Sequence, residues 1–207
     1  MTIEINRRGL FVGASALFVA GCSDIVGPPP SAKLYVLKPK LPNALPGSKV
    51  TWALSIPSPA AAAGLDSDRI AILRPPASLD YYAGSAWADP LPSLVQSTEL
   101  EAFDASGRIS AVSRDSDAAQ SDYILSTDMR DFEARYDQGE GAPLAVVRLG
   151  VRLVESRTRK IAGYNSIAKE VRASANAIDA AVDALSAALS EVLAELVPWV
   201  LDHPAPR

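Results

Sequence analysis

The side chains that most often carry chemistry are scarce in this chain, which has one cysteine, Cys22, and one histidine, His203. One cysteine cannot close an intrachain disulfide or supply the thiolates of a structural zinc site. His203 belongs to the terminal sequence His-Pro-Ala-Pro-Arg, whose prolines disfavour ordered helix, so we do not expect it to be the imidazole base of a hydrolase. We therefore predict that the protein is not an enzyme and has no catalytic residue, metal or cofactor.

Carboxylates and serines are plentiful, but they do not fall into catalytic patterns. The pairs Asp115/Asp117 and Asp128/Asp131 lie among polar residues, which favours turns or a solvated face over paired acid–base catalysis. The sequence contains neither a G-x-S-x-G elbow nor a G-x-x-x-x-G-K-[ST] loop, which excludes an α/β-hydrolase elbow and a nucleotide-hydrolysing motor. A net charge of −4 gives no basic surface for nucleic acid.

The single thiol suits a different chemistry, the attachment of a lipid. Arg7 and Arg8 precede an apolar run over residues 9–20, a pattern typical of a secretory signal, and this run is too short to cross a hydrocarbon core of roughly 30 Å. The run ends in Val-Ala-Gly-Cys, which resembles the bacterial lipobox. We predict that residues 1–21 are a signal peptide, cleaved between Gly21 and Cys22, and that the Cys22 thiol is acylated. The alternative is that Cys22 is a buried apolar thiol.

Cleavage would leave a chain with 18 basic and 23 acidic residues, a net charge of −5, because two arginines and one glutamate leave with the signal. Membrane attachment is therefore predicted to depend on Cys22. Residues 22–32 contain Gly27-Pro-Pro-Pro30 and predict a stiff tether that reaches about 30 Å at roughly 3.1 Å per residue. Ser23 favours the periplasmic face of the outer membrane of a Gram-negative bacterium, although Asp24 weakens that assignment.

Short elements are expected in the first third of the mature chain, because twelve of the sixteen prolines lie between Pro28 and Pro92. Short strands are predicted over residues 33–37, 50–56, 69–73 and 78–82, and at most two helical turns over residues 60–64. A helix is predicted to begin with Asp89 as N-cap and Pro90 in the first helical position, and to stop at Gly107.

A long strand is predicted over residues 123–136, with a change of phase in its middle. Leu125 and Met129 fall on one face of this strand, whereas Phe132 and Ala134 fall on the other, so a bulge near residues 130–131 would reconcile them. Further strands are predicted over residues 109–113, 145–153 and 161–171, with a turn at 157–160. Clean alternation over 145–153 indicates a half-buried antiparallel strand.

The chain ends in a strong amphipathic pattern. Apolar residues recur at alternating spacings of four and three, namely at Ile178, Val182, Leu185, Leu189, Val192, Leu196 and Trp199. This spacing predicts a long helix that packs on its own sheet; because the period also suits a coiled-coil seam, packing against a second copy or a partner is the alternative. Strands interleaved with two helices predict one domain, residues 33–201, of class α/β, with α+β as the alternative, followed by a flexible tail over 202–207.

Two segments are candidates for binding a partner protein. Tyr81, Tyr82 and Trp87 lie close together in a segment without a long apolar run, and aromatic residues with a polar tip are favoured at interfaces. The alternative is that Trp87 packs beneath the helix that follows it. Arg130 lies in the charge-dense stretch 128–136, where pairing with Asp131 at the bulge would be a structural role.

These motifs occur together in an order that resembles the ABC-type transport auxiliary lipoproteins, the family that includes the PqiC-like lipoproteins. The resemblance extends over residues 33–200 and rests on the lipobox, Tyr35-x-Leu37, Arg69-Ile-Ala, Tyr81-Tyr82…Trp87-Ala-Asp-Pro-Leu91, Leu125…Met129-Arg130-Asp131-Phe132-Glu133-Ala134-x-Tyr136, and the last helix ending in Trp199-Val200. One departure is Ala86, where family members often have a basic residue before the tryptophan.

The resemblance implies a three-layer domain with a mixed sheet, similar to the N-terminal domain of TolB. It also implies a lipoprotein that works beside an MCE-domain protein, an ABC permease and an ATPase, in a system that moves lipids or other hydrophobic compounds across the envelope. The expected mode of action is docking through Tyr81, Tyr82, Trp87 and Arg130. The alternative is a lipoprotein that itself binds and carries a lipid or another hydrophobic ligand.

Overall fold

One mixed sheet and two α-helices form the part of the chain that the computed structural model describes, residues 31–42, 44–117 and 119–203. The predicted signal peptide, Cys22 and most of the predicted tether lie outside these residues, as do the last four residues of the predicted tail. In chain order the elements are β1 (Lys33–Tyr35), β2 (Leu54–Ile56), β3 (Ala60–Ala61), β4 (Arg69–Arg74), β5 (Ser78–Trp87), α1 (Leu91–Ala105), β6 (Val112–Arg114), β7 (Tyr123–Arg135), β8 (Leu144–Glu155), β9 (Ile161–Arg172) and α2 (Ile178–Leu201), with one 3-10 turn at Asp115–Asp117.

β7 is the central strand of the sheet, and it carries the predicted bulge. It pairs antiparallel with β8, which pairs antiparallel with β9. The register between β7 and β8 shifts between Met129 and Asp131, which confirms the bulge. The additional residue changes the phase of the strand, so Leu125, Met129 and Phe132 are all buried on the same side.

Three short strands share the other edge of β7. β2, β3 and β4 each run parallel to it, one after another along its length. β4 then pairs antiparallel with β5, β5 pairs with β1 in parallel, and β6 lies parallel to β2. Parallel and antiparallel pairs occur in one sheet, which confirms the mixed sheet that was predicted.

β1 is shorter than predicted, because after Tyr35 the chain leaves the sheet and forms hydrogen bonds with α2 instead. The backbone N–H of Lys38 donates to Ser186 Oγ at 3.2 Å, and that of Lys40 donates to Ser190 Oγ at 2.8 Å. Both serines belong to α2. Residues 36–40 therefore run along this helix as an extended segment outside the strand ladder.

The other predicted strands of the first third differ in length from the observed ones. β2 begins at Leu54 rather than at residue 50, and β6 covers 112–114 rather than 109–113. Before these two strands the chain forms two neighbouring loops, which are joined by a hydrogen bond from the N–H of Val50 to the carbonyl of Arg108. Residues 60–61 pair with β7 instead of starting a helical turn. β5 extends to Trp87, five residues further than predicted, and passes through Gly84 at a φ of +62°.

α1 confirms the predicted helix with a shift of one residue at its start. Pro90 has an extended backbone with ψ of 135° and is the N-cap, so Asp89 does not cap the helix as predicted. Pro92 lies within the first turn, where a backbone N–H has no partner inside the helix. The helix ends at the predicted place, since Gly107 follows its C-cap in the left-handed region with a φ of +66°.

α2 confirms the predicted long terminal helix. It packs against β8 and β9, and Leu185, Leu189 and Leu196 of its apolar stripe are completely buried, whereas Ile178 and Trp199 at the two ends are partly buried. By length and composition this helix could also cross a bilayer, with a mean hydropathy of 1.5. Its burial against the sheet identifies it as the core helix of the domain.

Both helices lie on the same face of the sheet. Glu99 of α1 accepts a hydrogen bond from Thr127 Oγ1 of β7, and Glu195 of α2 pairs with Lys169 of β9; both strand residues point to the face that holds the core. The predicted α/β class, with its mixed sheet and long terminal helix, is confirmed. The opposite face of β7, β8 and β9 is covered by no helix within these residues.

Candidate functional site

Trp87 is a core residue at the end of β5. Only 2% of its surface is exposed, and its ring packs edge-on against Phe132 with 6.2 Å between the centroids. The register pairs it with Tyr35 of β1, on the face covered by the helices. The structure therefore corrects the prediction that Trp87 contacts a partner, since the core that includes Leu91 of α1 already covers it.

Tyr81 is half-buried on the side of β5 that faces Arg69. The Arg69 guanidinium lies over the Tyr81 ring, 3.4 Å from its centroid, as a cation–π contact. The Tyr81 hydroxyl donates to the Gly64 carbonyl at 3.1 Å. Both the ring and the hydroxyl of Tyr81 thus have partners within the domain, and the exposed remainder of the ring is what a second protein could contact.

Tyr82 follows directly in an extended strand, so its side chain points to the opposite face. Its hydroxyl lies 3.1 Å from the Tyr136 hydroxyl, which in turn donates to Asn176 Oδ1 at 2.8 Å. Burial and the bond to Tyr136 raise the pKa of the Tyr82 hydroxyl well above its usual value, so it stays protonated. The two tyrosines do not form one common surface.

Arg130 lies at the bulge of β7, on the face that no helix covers. Its guanidinium donates to the Tyr164 hydroxyl at 3.0 Å and to Ser166 Oγ at 3.4 Å, and Nε lies 3.5 Å from a carboxylate oxygen of Asp128. The bond to Tyr164 raises the pKa of Arg130 further above its usual value. The pair predicted between Arg130 and Asp131 is wrong, because Asp131 pairs with Arg148 instead.

Gly150 explains how Arg130 can lie flat on the sheet. A Cβ atom at this position would stand 2.9 Å from three atoms of the Arg130 guanidinium. A side chain at residue 150 would therefore displace the arginine from Tyr164. Tyr164 is itself 52% exposed, so the Arg130–Tyr164 pair is accessible from solvent.

The rest of this open face carries a row of ion pairs. They join Arg148 to Asp131, Arg135 to Glu133 and Glu170, and Arg172 to Asp137. Because most of these groups are at least partly exposed, each pair contributes little to stability. These charges pair with one another within and between the three strands, whereas Arg130 and Tyr164 place a cation beside an exposed aromatic ring on the same face.

Glu99 is a carboxyl group inside the core between α1 and β7. It is completely buried, Oε1 accepts a hydrogen bond from Thr127 Oγ1 at 2.8 Å, and Oε2 has no hydrogen-bond partner among the described residues. Burial raises its pKa to about 8. Glu99 is therefore protonated at neutral pH. The core encloses this side chain completely, so its carboxyl group has no contact with solvent.

A half-open groove of about 370 Å³ runs between the extended segment 36–40 and the outward face of α2. Two residues of an extended chain rise nearly as far as one helical turn, so alternate N–H groups of the segment meet serines four residues apart, Ser186 and Ser190. A second cavity of about 260 Å³ overlaps the first and continues it towards β1. Sequence analysis did not identify this groove, because each of its two sides is unremarkable alone.

The described residues contain no cluster of three or more His, Cys, Asp or Glu side chains that could hold a metal ion. His203 follows α2 directly, where its Nδ1 lies 2.8 Å from the Trp199 carbonyl and its ring contacts the Trp199 ring edge-on. Its Nε2 stands against Gly163 of β9. The histidine thus packs against the end of the helix.

A comparison with known families matches residues 35–197 to the ABC-type transport auxiliary lipoprotein component. The chain belongs to this family. The expected resemblance is thereby confirmed, and the family description associates its members with an ABC transport system and, as lipoproteins, with the cell envelope. The matched range contains all of the predicted docking residues and both sides of the groove, whereas Cys22 lies before it.

Similar proteins agree with membership of the auxiliary lipoprotein family. The crystal structure of protein XCC0632 from Xanthomonas campestris, described as DUF330, is 30% identical, with a TM-score of 0.75 over 82% of this chain and 95% of the other. The hypothetical protein CT253 from Chlamydia trachomatis shares the fold alone, with 6% identity and a TM-score of 0.50 over 74% of this chain and 98% of the other.

A curated relative of this auxiliary lipoprotein is longer than the chain itself. The uncharacterized protein bll6063 of Bradyrhizobium diazoefficiens is 30% identical over 146 residues, which are 70% of this chain and 39% of the relative. The chain therefore spans about two fifths of the length of that relative.

Proposed function

We propose that the protein is a lipid-anchored periplasmic component of an MCE/ABC-type transport system, which moves lipids or other hydrophobic compounds across the cell envelope. In this role the domain acts by docking to other proteins and carries out no catalysis. The observation that carries the proposal is the family match over residues 35–197. Its direct partner is an MCE-domain protein, through which it reaches the ABC permease and the ATPase.

The anchor of the proposed component is Cys22, at the periplasmic face of the outer membrane. Ten residues separate Cys22 from β1, so the domain would stay within about 30 Å of the bilayer surface. Its acidic composition gives no electrostatic attraction to anionic lipids, which supports attachment through the acylated thiol.

The anchor is tested by the substitution Cys22→Ala in the full chain. We expect the protein to move from the membrane fraction to the soluble periplasmic fraction and to lose the mass of the acyl chains. Ser23→Ala is the matched control and should leave the protein in the membrane fraction. Retention of Cys22→Ala in the membranes would contradict the lipid anchor.

Docking is proposed to use Tyr81, Tyr82 and Arg130, without the buried Trp87. Arg130 and Tyr164 present a cation beside an exposed aromatic ring, and these residue types are enriched among the strongest contacts of protein interfaces. Tyr81 and Tyr82 lie on opposite faces of β5, so a partner that contacts both would have to reach around the strand and touch both of its faces.

The partner is tested by crosslinking the lipidated protein in envelope membranes, followed by its purification. We expect an MCE-domain protein among the crosslinked products and a loss of about tenfold or more in its yield with Arg130→Glu, because the cation is replaced by a repelling charge. Lys160→Glu, at an exposed turn, is the control for net charge and should keep the yield. Absence of any MCE-domain protein from repeated crosslinking would refute the partnership.

A further inference from the structure

The groove beside α2 has an apolar floor and an apolar entrance. Val182 and Ala187 of the helix line the floor, and Val36 lines the side. At the end towards β1, Leu34 and Val36 are 64% and 46% exposed, and they are two of the few large apolar side chains at the surface of the described residues. The groove is thus suited to an apolar group that enters from the side of β1.

The two walls of the groove carry opposite charges. Lys38 and Lys40 line the side of the extended segment, and Asp183 and Glu191 line the side of the helix. At the end towards β1, a lysine and a carboxylate of the same two sides form an ion pair, since Lys33 Nζ lies 2.7 Å from Asp179 Oδ1. Along the groove itself, no ion pair joins the lysines to the carboxylates within the described part of the chain.

The backbone of the segment restricts what can bind. The N–H groups of Lys38 and Lys40 already donate to Ser186 and Ser190, so they are not free for a further strand. A peptide that enters the groove as an added strand would find these two donors occupied. An occupant must therefore bind by apolar contact with the floor and by charge with the walls.

We infer that this groove binds one zwitterionic aminophospholipid. An acyl chain lies on the floor formed by Val182 and Ala187, the phosphate pairs with Lys38 and Lys40, and the ammonium group pairs with Asp183 or Glu191. The volume of about 370 Å³, lengthened by the overlapping cavity, is enough for the headgroup and part of one acyl chain, so the rest of the lipid lies outside the half-open groove. The inference does not depend on the MCE partnership, because it concerns the isolated domain.

The site can be tested without the lipid anchor. Ser31–Arg207 is a compact unit by itself and contains every described element and core side chain. We expect this unit, titrated with a short-chain phosphatidylethanolamine below its micellar concentration, to show saturable one-to-one binding by calorimetry. Matched phosphatidylglycerol should bind about tenfold more weakly, because its headgroup has no ammonium to pair with the carboxylates. Phosphoethanolamine without acyl chains should not bind measurably.

Substitutions distinguish the contribution of the apolar floor to lipid binding from that of the charged walls. Ala187→Trp fills the groove and should abolish binding, whereas Ala194→Trp, on an exposed part of the same helix, should leave it unchanged. The double variant Asp183→Asn/Glu191→Gln keeps the shape of the groove and should reduce the preference for phosphatidylethanolamine over phosphatidylglycerol to within about twofold. Lys38→Glu/Lys40→Glu should weaken binding of both phospholipids.

Several outcomes would overturn the inference. One is that the parent domain shows no saturable binding of phosphatidylethanolamine, and another is that phosphoethanolamine alone binds as tightly as the lipid. A third is that Ala187→Trp and Ala194→Trp lose binding equally while both variants melt like the parent. The fourth is that the preference for phosphatidylethanolamine over phosphatidylglycerol is unchanged in the double carboxylate variant. Concentration-dependent dimerisation blocked by Ala187→Trp, in the absence of lipid binding, would assign the groove to a second copy of the chain instead.

Discussion

Glu99 and Trp87 are both enclosed by the core, but their burial is not equally readable from the sequence. Leu91, Val95 and Glu99 follow one another at intervals of four along α1, so the position of Glu99 on the buried stripe is readable from the sequence. Trp87 is harder to place, because the alternation of a strand indicates two faces without telling which of them a helix covers. Its burial depends on the position of β5 between β1 and β4.

The buried carboxyl predicts how stability depends on pH. The pKa of Glu99 is about 8 in the folded domain and near 4.5 in the unfolded chain, so between these values the folded state holds a proton that the unfolded state releases. Its contribution to stability is therefore complete below pH about 4.5 and is lost as the pH rises towards 8. The change at this one residue should amount to roughly 2 to 4 kcal/mol.

Glu99→Gln tests this dependence, because the amide oxygen can still accept the bond from Thr127 while the group no longer titrates. Chemical unfolding in urea between pH 4.5 and 8 should show that the variant is more stable than the parent at pH 8 and similar to it at pH 4.5. Glu101→Gln, on the exposed side of the same helix, should follow the parent curve. Parallel curves for Glu99→Gln and the parent would rule out Glu99 as the titrating group.

Elements are predictable where a pattern is long and local, as in β7 and α2. The phase change between Met129 and Phe132 reveals the bulge because burial of both residues requires an additional residue between them. The segment 36–40 is different, since its backbone donors bond to serines almost 150 residues away. No pattern within residues 33–42 indicates those partners, so the early end of β1 was not predictable.

Two changes at Arg130 separate the contribution of the β7 bulge to stability from that of the arginine side chain. Deletion of Arg130 removes the additional residue and turns Phe132 and Ala134 towards the open face, which should cost about 4 kcal/mol or more in the free energy of unfolding. Arg130→Ala keeps the bulge and removes only exposed polar contacts, so it should cost about 1 kcal/mol or less. Urea unfolding measures both, and equal losses would show that the bulge does not set the register.

The bonds between the segment and α2 are tested by Ser190→Ala. Loss of the acceptor for the N–H of Lys40 should cost about 0.5 to 1.5 kcal/mol and should speed hydrogen exchange at that amide. Ser174→Ala, at an exposed position before the helix, is the control for the loss of a hydroxyl. Unchanged exchange at residue 40 would mean that the segment is held by its side chains alone.

At the scale of the whole molecule, the sequence predicts the class, the mixed sheet and the last helix, but not the strand order. Three short strands share one edge of β7, and each pairing depends on the loops between them rather than on the strand sequences. Both helices pack on one face of the sheet, which no local pattern in the sequence indicates. The open face of β7, β8 and β9 tolerates solvent because ion pairs line it.

Truncation tests which part of the chain the domain needs. Residues 31–207 should melt at the same temperature as the mature chain, because every described core side chain lies within them. Residues 41–207 lack β1 and the segment along α2, which uncovers part of the core, so their melting temperature should be lower by several degrees. Calorimetry measures both, and equal midpoints for the two truncations would show that β1 is dispensable.

The bonds from Lys33, Tyr35, Lys38 and Lys40 to α2 join parts of the chain that are 144 to 150 residues apart. Synthesis proceeds from the N-terminus, so the first strand has no helix to bind until nearly the whole chain has been made. Contacts of such large sequence separation also form slowly. The contacts of β1 and of the segment 36–40 with α2 are therefore among the last that synthesis makes possible, and this part of the domain closes after all the strands have been made.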